Sequence, residues 1–86
     1  MASVEWSDDA LDDLDDLDAI VARKIAAKVL WFGEHFDEVL TRKLHHDLRK
    51  LCKLRVGDYR VIYFLQEGHG QKVMVEAVKH RSEAYD

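Results

Sequence analysis

The apolar residues of this chain change period once. Val21, Ile25, Val29 and Phe32 recur at the three- and four-residue steps of one helix face, whereas from Leu48 onward apolar and polar positions alternate. A period near 3.6 suits a helix with one buried face, and a period of two suits a strand. Helices first and strands afterwards therefore confine the chain to an α+β fold, with the helices grouped on one face of an antiparallel sheet.

Eighty-six residues suffice for one hydrophobic core, so 1–86 reads as a single domain. Its 48% hydrophobic and 35% charged residues fit a globular chain and not a disordered one. No apolar run reaches the roughly 20 residues that span a bilayer, and the first residues lack the basic and apolar regions of a leader. The lone cysteine, Cys52, leaves no intramolecular disulfide. These features lead us to expect a cytoplasmic protein without membrane contact.

Val4 and Trp6 alternate about Glu5 and open the chain as a short strand. Ser7 is a good N-cap, with Asp8 and Asp9 favourably placed in the first turn. Leu11, Leu14 and Leu17 line one face of this first helix, and the aspartates read as its wet side. Asp18 caps a second helix, packed through Val21, Ile25, Val29 and Phe32 and stopped at Gly33, with Trp31 and Phe32 both expected in the core. Residues 34–46 form a connector whose structure the pattern leaves open. Residues 50–56 then make a strand with Leu51, Lys53 and Arg55 on one face and Cys52, Leu54 and Val56 on the other. Gly57-Asp58 supplies a tight turn into a central strand, Tyr59 to Leu65. A loop at 67–70 leads to a last strand, Val73 to Val78, with Val73, Val75 and Ala77 on one side. The expected fold is an N-terminal strand, two helices and a three-strand antiparallel meander, with both helices on one sheet face.

The formal net charge of −4 averages two unlike parts. Residues 1–18 hold eight acidic residues and no basic one, while 19–86 hold thirteen basic against nine acidic. Between 42 and 60, Arg42, Lys43, Arg49, Lys50, Lys53, Arg55 and Arg60 face only Asp47 and Asp58, and a Lys79-His80-Arg81 cluster follows the last strand. Cations brought repeatedly to strand ends suit a polyanion. His35, His45, His46, His69 and His80 have no metal-ligand spacing, so neither metal nor cofactor is expected.

The run Asp47-Leu48-Arg49-Lys50-Leu51-Cys52-Lys53-Leu54-Arg55-Val56-Gly57-Asp58-Tyr59-Arg60-Val61-Ile62-Tyr63 and the ending Val78-Lys79-His80-Arg81-Ser82-Glu83-Ala84-Tyr85 resemble the central hairpin and closing strand of the RelE/ParE toxin superfamily. The helical half matches in pattern only. The resemblance implies a type II toxin restrained by a cognate, RelB-like antitoxin in a hetero-oligomer. It implies, for the RelE branch, a metal-independent endoribonuclease that cuts messenger RNA in the ribosomal A site. Carried over residue by residue, the catalytic set is Lys53, Arg60, Arg81 and Tyr85, with Lys79 or His80 as alternatives in the C-terminal role. Arg49, Lys50 and Arg55 would hold RNA. A second hairpin lysine of some members falls at Leu51 here, which leaves that role missing or moved to Lys50.

The chemistry suits the residue types. Cleavage by the RNA's own 2′-hydroxyl needs a base for that proton, cations on the phosphorane and a partner for the leaving oxygen. Crowded cations weaken one another's hold on protons, which favours Lys53, close to Arg55 and expected to face Arg60, as base. Arg60 would fork onto the non-bridging oxygens, Arg81 would serve the leaving oxygen, and Tyr85 would stack on a nucleobase. Plainer readings stand beside these: Lys50 and Arg55 as solvated positions, Arg60 paired with Asp58 or Glu76, Tyr85 as packing. The resemblance leaves two alternatives open, a ParE-like inhibitor of DNA gyrase and a member that binds its antitoxin with little catalysis.

Overall fold

A computed structural model of the chain describes residues 2–35, 51–68 and 70–82. The elements run β1 (Ser3–Trp6), α1 (Asp8–Asp15), α2 (Ala19–Glu34), β2 (Cys52–Val56), β3 (Tyr59–Gly68) and β4 (Gly70–His80). The sheet order is β1-β4-β3-β2. β2, β3 and β4 form the expected antiparallel meander, and β1 adds to β4 in parallel, which makes the sheet mixed.

Both helix starts follow their capping residues. Ser7 Oγ accepts from the Ala10 N–H at 3.0 Å, and Asp18 Oδ2 accepts from the Ile20 and Val21 N–H groups. α2 buries Ile25, Val29 and Phe32 against Val61, Tyr63, Leu65, Val73, Val75 and Val78 of the sheet. Trp31 departs from expectation. It stays 44% exposed, stacked on His35 with Lys28 Nζ 4.4 Å from its ring centroid. On α1 the buried residue is Ala10, and Leu11 faces outward at 45% exposure.

Gly33 does not stop α2, which continues to Glu34. Its small size serves packing instead: a Cβ there would lie 2.7 Å from Val4 Cγ2 and 3.0 Å from the Ala2 carbonyl oxygen. The Ala2 N–H donates to the Gly33 carbonyl at 2.9 Å, satisfying one of the helix's orphan acceptors and binding β1 to α2.

The β2–β3 turn is as tight as expected. Gly57 has φ +58°, and no other described residue has a positive φ, so only the first turn residue is left-handed, as in a type II′ turn. The expected loop at 67–70 largely belongs to strands, because the ladder continues to Gly68 opposite Gly70. Backbone pairing needs no apolar alternation, and the pattern fades at the polar Gln66 and Gln71 while the hydrogen bonding persists.

β4 contains one irregularity. Ile62 faces Ala77 but Tyr63 faces Val75, leaving Glu76 as the extra residue of a bulge. Ser7 secures it, its N–H donating to the Val75 carbonyl and its Oγ to the Glu76 carbonyl, both at 2.9 Å. The bulge reverses the alternation beyond it. Val78, and not Ala77, joins Val73 and Val75 in the core.

Candidate functional site

Cross-strand register places Arg55, Arg60 and Lys79 in one row across β2, β3 and β4, on the sheet face away from the helices. The next row is Lys53, Ile62 and Ala77. Arg55, not Lys53, therefore faces Arg60, and Lys53 reaches Arg60 only diagonally, across about 7–8 Å of backbone. The reason is the two-residue turn: it makes Val56 and Tyr59 partners, and every pair behind them follows.

The three cations of the row are held differently. Arg55 is exposed. Arg60 is 5% exposed and donates from Nη1 to its neighbour's carbonyl, that of Tyr59, at 3.3 Å. Lys79 is half-exposed and lies 3.6 Å from Asp13 Oδ2. The same Asp13 oxygen accepts the Val78 N–H at 2.9 Å. β1 pairs with β4 only as far as Val75, and Asp13 takes its place beyond that point, satisfying an edge donor and neutralising Lys79.

Arg81 follows β4 beside the hairpin turn. Its N–H donates to the Asp58 carbonyl at 2.7 Å, while its guanidinium stands 4.0 Å from the Asp58 carboxylate with both side chains about two-thirds exposed. An exposed pair at that distance holds Arg81 weakly and leaves it available. His80 lies on the opposite face, edge-on to Tyr59 at 5.2 Å. The Ser82 N–H donates to His80 Nδ1 at 3.2 Å, with Ser82 Oγ 2.9 Å from the same atom. A backbone N–H can only donate, so Nδ1 accepts and the neutral ring carries its proton on Nε2. His80 thus offers a donor, and its basic nitrogen is already engaged. Arg49, Lys50 and Tyr85 lie outside the described residues.

At the far end of this face Lys72 and Glu5 form an ion pair at 3.0 Å, so excess positive charge gathers at the hairpin end. Beneath the face, Tyr63 sits opposite Cys52 and edge-on to Phe32 at 5.2 Å. Burial, reinforced by the Cys52 thiol, pushes its phenol well above the usual range. Among the described residues no group of three or more histidine, cysteine or carboxylate side chains is arranged to hold a metal, and no helix is long and apolar enough to cross a membrane.

Asp13 was missed by reading the aspartates as one wet face. Ala10, Asp13, Leu14 and Leu17 follow the i, i+3, i+4, i+7 spacing, so one carboxylate sits on the apolar stripe, and that spacing is the signal.

A mixed four-strand sheet with two helices on one face and a cationic hairpin end on the other defines the RelE-like toxin fold. The chain belongs to the family described as the ParE toxin of the type II toxin–antitoxin system parDE, whose model matches residues 4–85, within the RelE/ParE superfamily. It is the toxin of a type II toxin–antitoxin system. Among solved structures it is similar to one from the toxin–antitoxin complex RelBE2 of Mycobacterium tuberculosis, with 24% identity and a TM-score of 0.60 over 93% of this chain and 98% of that one. No curated protein sequence matches significantly.

Proposed function

We propose that this toxin arrests translation by cutting messenger RNA presented by the ribosome, and that a cognate antitoxin covers the same surface. The observation that carries the reading is the exposed Lys53 and Arg55 standing two residues apart on the sheet face away from the helices, with Arg60 and Lys79 continuing the cationic row. Lys53 takes the proton of the 2′-hydroxyl, whose oxygen attacks the scissile phosphorus. Arg55, with the charge of Arg60 beside it, stabilises the phosphorane through paired N–H donors. The bond to the 5′-oxygen breaks, Arg81 offsets the charge on that oxygen, and solvent supplies its proton. The products are a 2′,3′-cyclic phosphate and a 5′-hydroxyl. The Tyr85 role rests on the resemblance alone. The ribosome supplies orientation, which is worth several orders of magnitude in rate.

A second reading, inhibition of DNA gyrase, is favoured by two observations. Arg60 is nearly buried and Lys79 is held by Asp13, so two of the expected phosphate contacts are already engaged by protein. Primer extension on messenger RNA programmed into ribosomes separates the readings. Cuts at A-site codons only when ribosomes are present, reduced about 10²-fold or more by Lys53→Ala, support the nuclease. Intact messenger together with blocked supercoiling by gyrase replaces it with the second reading.

A further inference from the structure

We propose that two copies of this chain pair through the outer surfaces of their helices, the acidic α1 of each lying against the cationic, apolar face of the other's α2. The inference is independent of which activity the toxin has. Ile20, Ala27, Leu30 and Trp31 are spaced to form one outward stripe on α2, and Ile20, Leu30 and Trp31 are 64%, 59% and 44% exposed. Arg23, Lys24 and Lys28 flank that stripe, and no acidic residue occurs between Ala19 and Gly33. An isolated exposed leucine needs no explanation, but an apolar stripe along a 16-residue helix does. Trp31 is also held in place, with Lys28 over its ring and His35 stacked on it at 4.3 Å. The His35 Nδ1–H reaches the Trp31 carbonyl at 2.9 Å. A rigid, half-exposed indole is the kind of residue that anchors an interface.

Charge decides the occupant. A second α2 stripe would bring three cations against three cations. α1 offers the complement: Asp8, Asp12 and Asp15 are exposed beside Leu11, which is 45% exposed, and α1 carries no cation. The two helices are sequential neighbours on one side of the sheet. A two-fold axis running between them, in the plane of their outer surface, sets α1 over the partner's α2 and α2 over the partner's α1 simultaneously. Such an interface is self-complementary and closes at two copies. It also accounts for the acidic first segment of a chain whose remainder is basic, since that segment neutralises a second copy.

The test is sedimentation equilibrium of the full chain at low and high salt, with two charge-reversed variants. One variant carries Lys24→Glu and Lys28→Glu, and the other Asp12→Lys and Asp15→Lys; circular dichroism confirms that each is folded. The wild type is expected to be a dimer that weakens at least tenfold between low and high salt. Each variant alone is expected to be a monomer, because both of its contacts become like-charged. Their equimolar mixture restores a dimer, because both contacts become opposite-charged again. A wild type monomeric at about 100 μM in low salt overturns the proposal, and so does a dimer that either variant retains on its own.

Discussion

On the helix side of the sheet, Val61, Tyr63 and Leu65 of β3 meet Val73, Val75 and Val78 of β4 under Ile25, Val29 and Phe32. One residue along, the same two strands turn Arg60, Ile62 and Phe64 toward Lys79, Ala77 and Met74 on the other side. The first face is ruled by residue type: its six apolar strand side chains are all buried, and all but Val78, which lies beyond the bulge, have the positions that alternation alone assigns. On the second, type does not determine state. Arg55 and Arg60 are the same residue, directly paired, yet one is exposed and the other nearly buried. Apolar burial is additive and non-directional, so pattern predicts it. What happens to a charge depends on the particular partners around it, and those come from elements distant in sequence.

The largest effect should lie on the helix side. Phe32→Ala removes a buried ring packed edge-on against Tyr63 and should cost about 3–5 kcal/mol, most of the stability of so small a domain, measured as a lower urea midpoint with unchanged slope. The two arginines then test the contrast directly. Arg60→Ala should cost about 2 kcal/mol through lost interactions of a buried charge, while Arg55→Ala should stay within about 0.5 kcal/mol. Equal stability losses in the two variants would erase the distinction between them.

Gly33→Ala tests whether the close approach of β1 to α2 outweighs helix propensity. Alanine is better in a helix by about 1 kcal/mol, but its Cβ would meet Val4 and the Ala2 carbonyl, so a net loss of about 1–2 kcal/mol is expected in thermal melts. The smallest effect is alkaline. In the folded state the Tyr63 phenol is raised, so the unfolded chain releases that proton first as pH climbs through its ordinary value near 10. The corresponding stability is complete below that pH and declines above it, toward the folded-state value. Tyr63→Phe should flatten this decline, and denaturation at pH 9 and pH 11 measures it.

Much of the fold was legible because local signals agreed: Ser7 and Asp18 cap the helices, Gly57 turns the hairpin, and Cys52, Leu54 and Val56 share a face opposite Lys53 and Arg55. Less of the site was legible. Lys53 was expected to face Arg60, but the Gly57-Asp58 turn itself pairs Val56 with Tyr59 and therefore puts Arg55 there instead. Asp13 looked like one aspartate among many until its helical spacing set it against β4. Trp31 looked like core because aromatic residues usually are, but its position on α2 points it outward beside Lys28 and His35.

The sequence by itself determined the α+β class, the order of the elements and much of the core, because periodicity and capping act over a few residues and need no knowledge of the rest of the chain. Only the tertiary structure decided which cations share a face. Without the bulge at Glu76, alternation from Val73 and Val75 would send Lys79 toward the helices. With it, Lys79 joins Arg55 and Arg60, and Val78 takes the buried place. A single extra residue inverts everything beyond it because the side-chain period of a strand is two. Ser7 holds that residue in place from nearly seventy positions away, a distance that no local pattern spans.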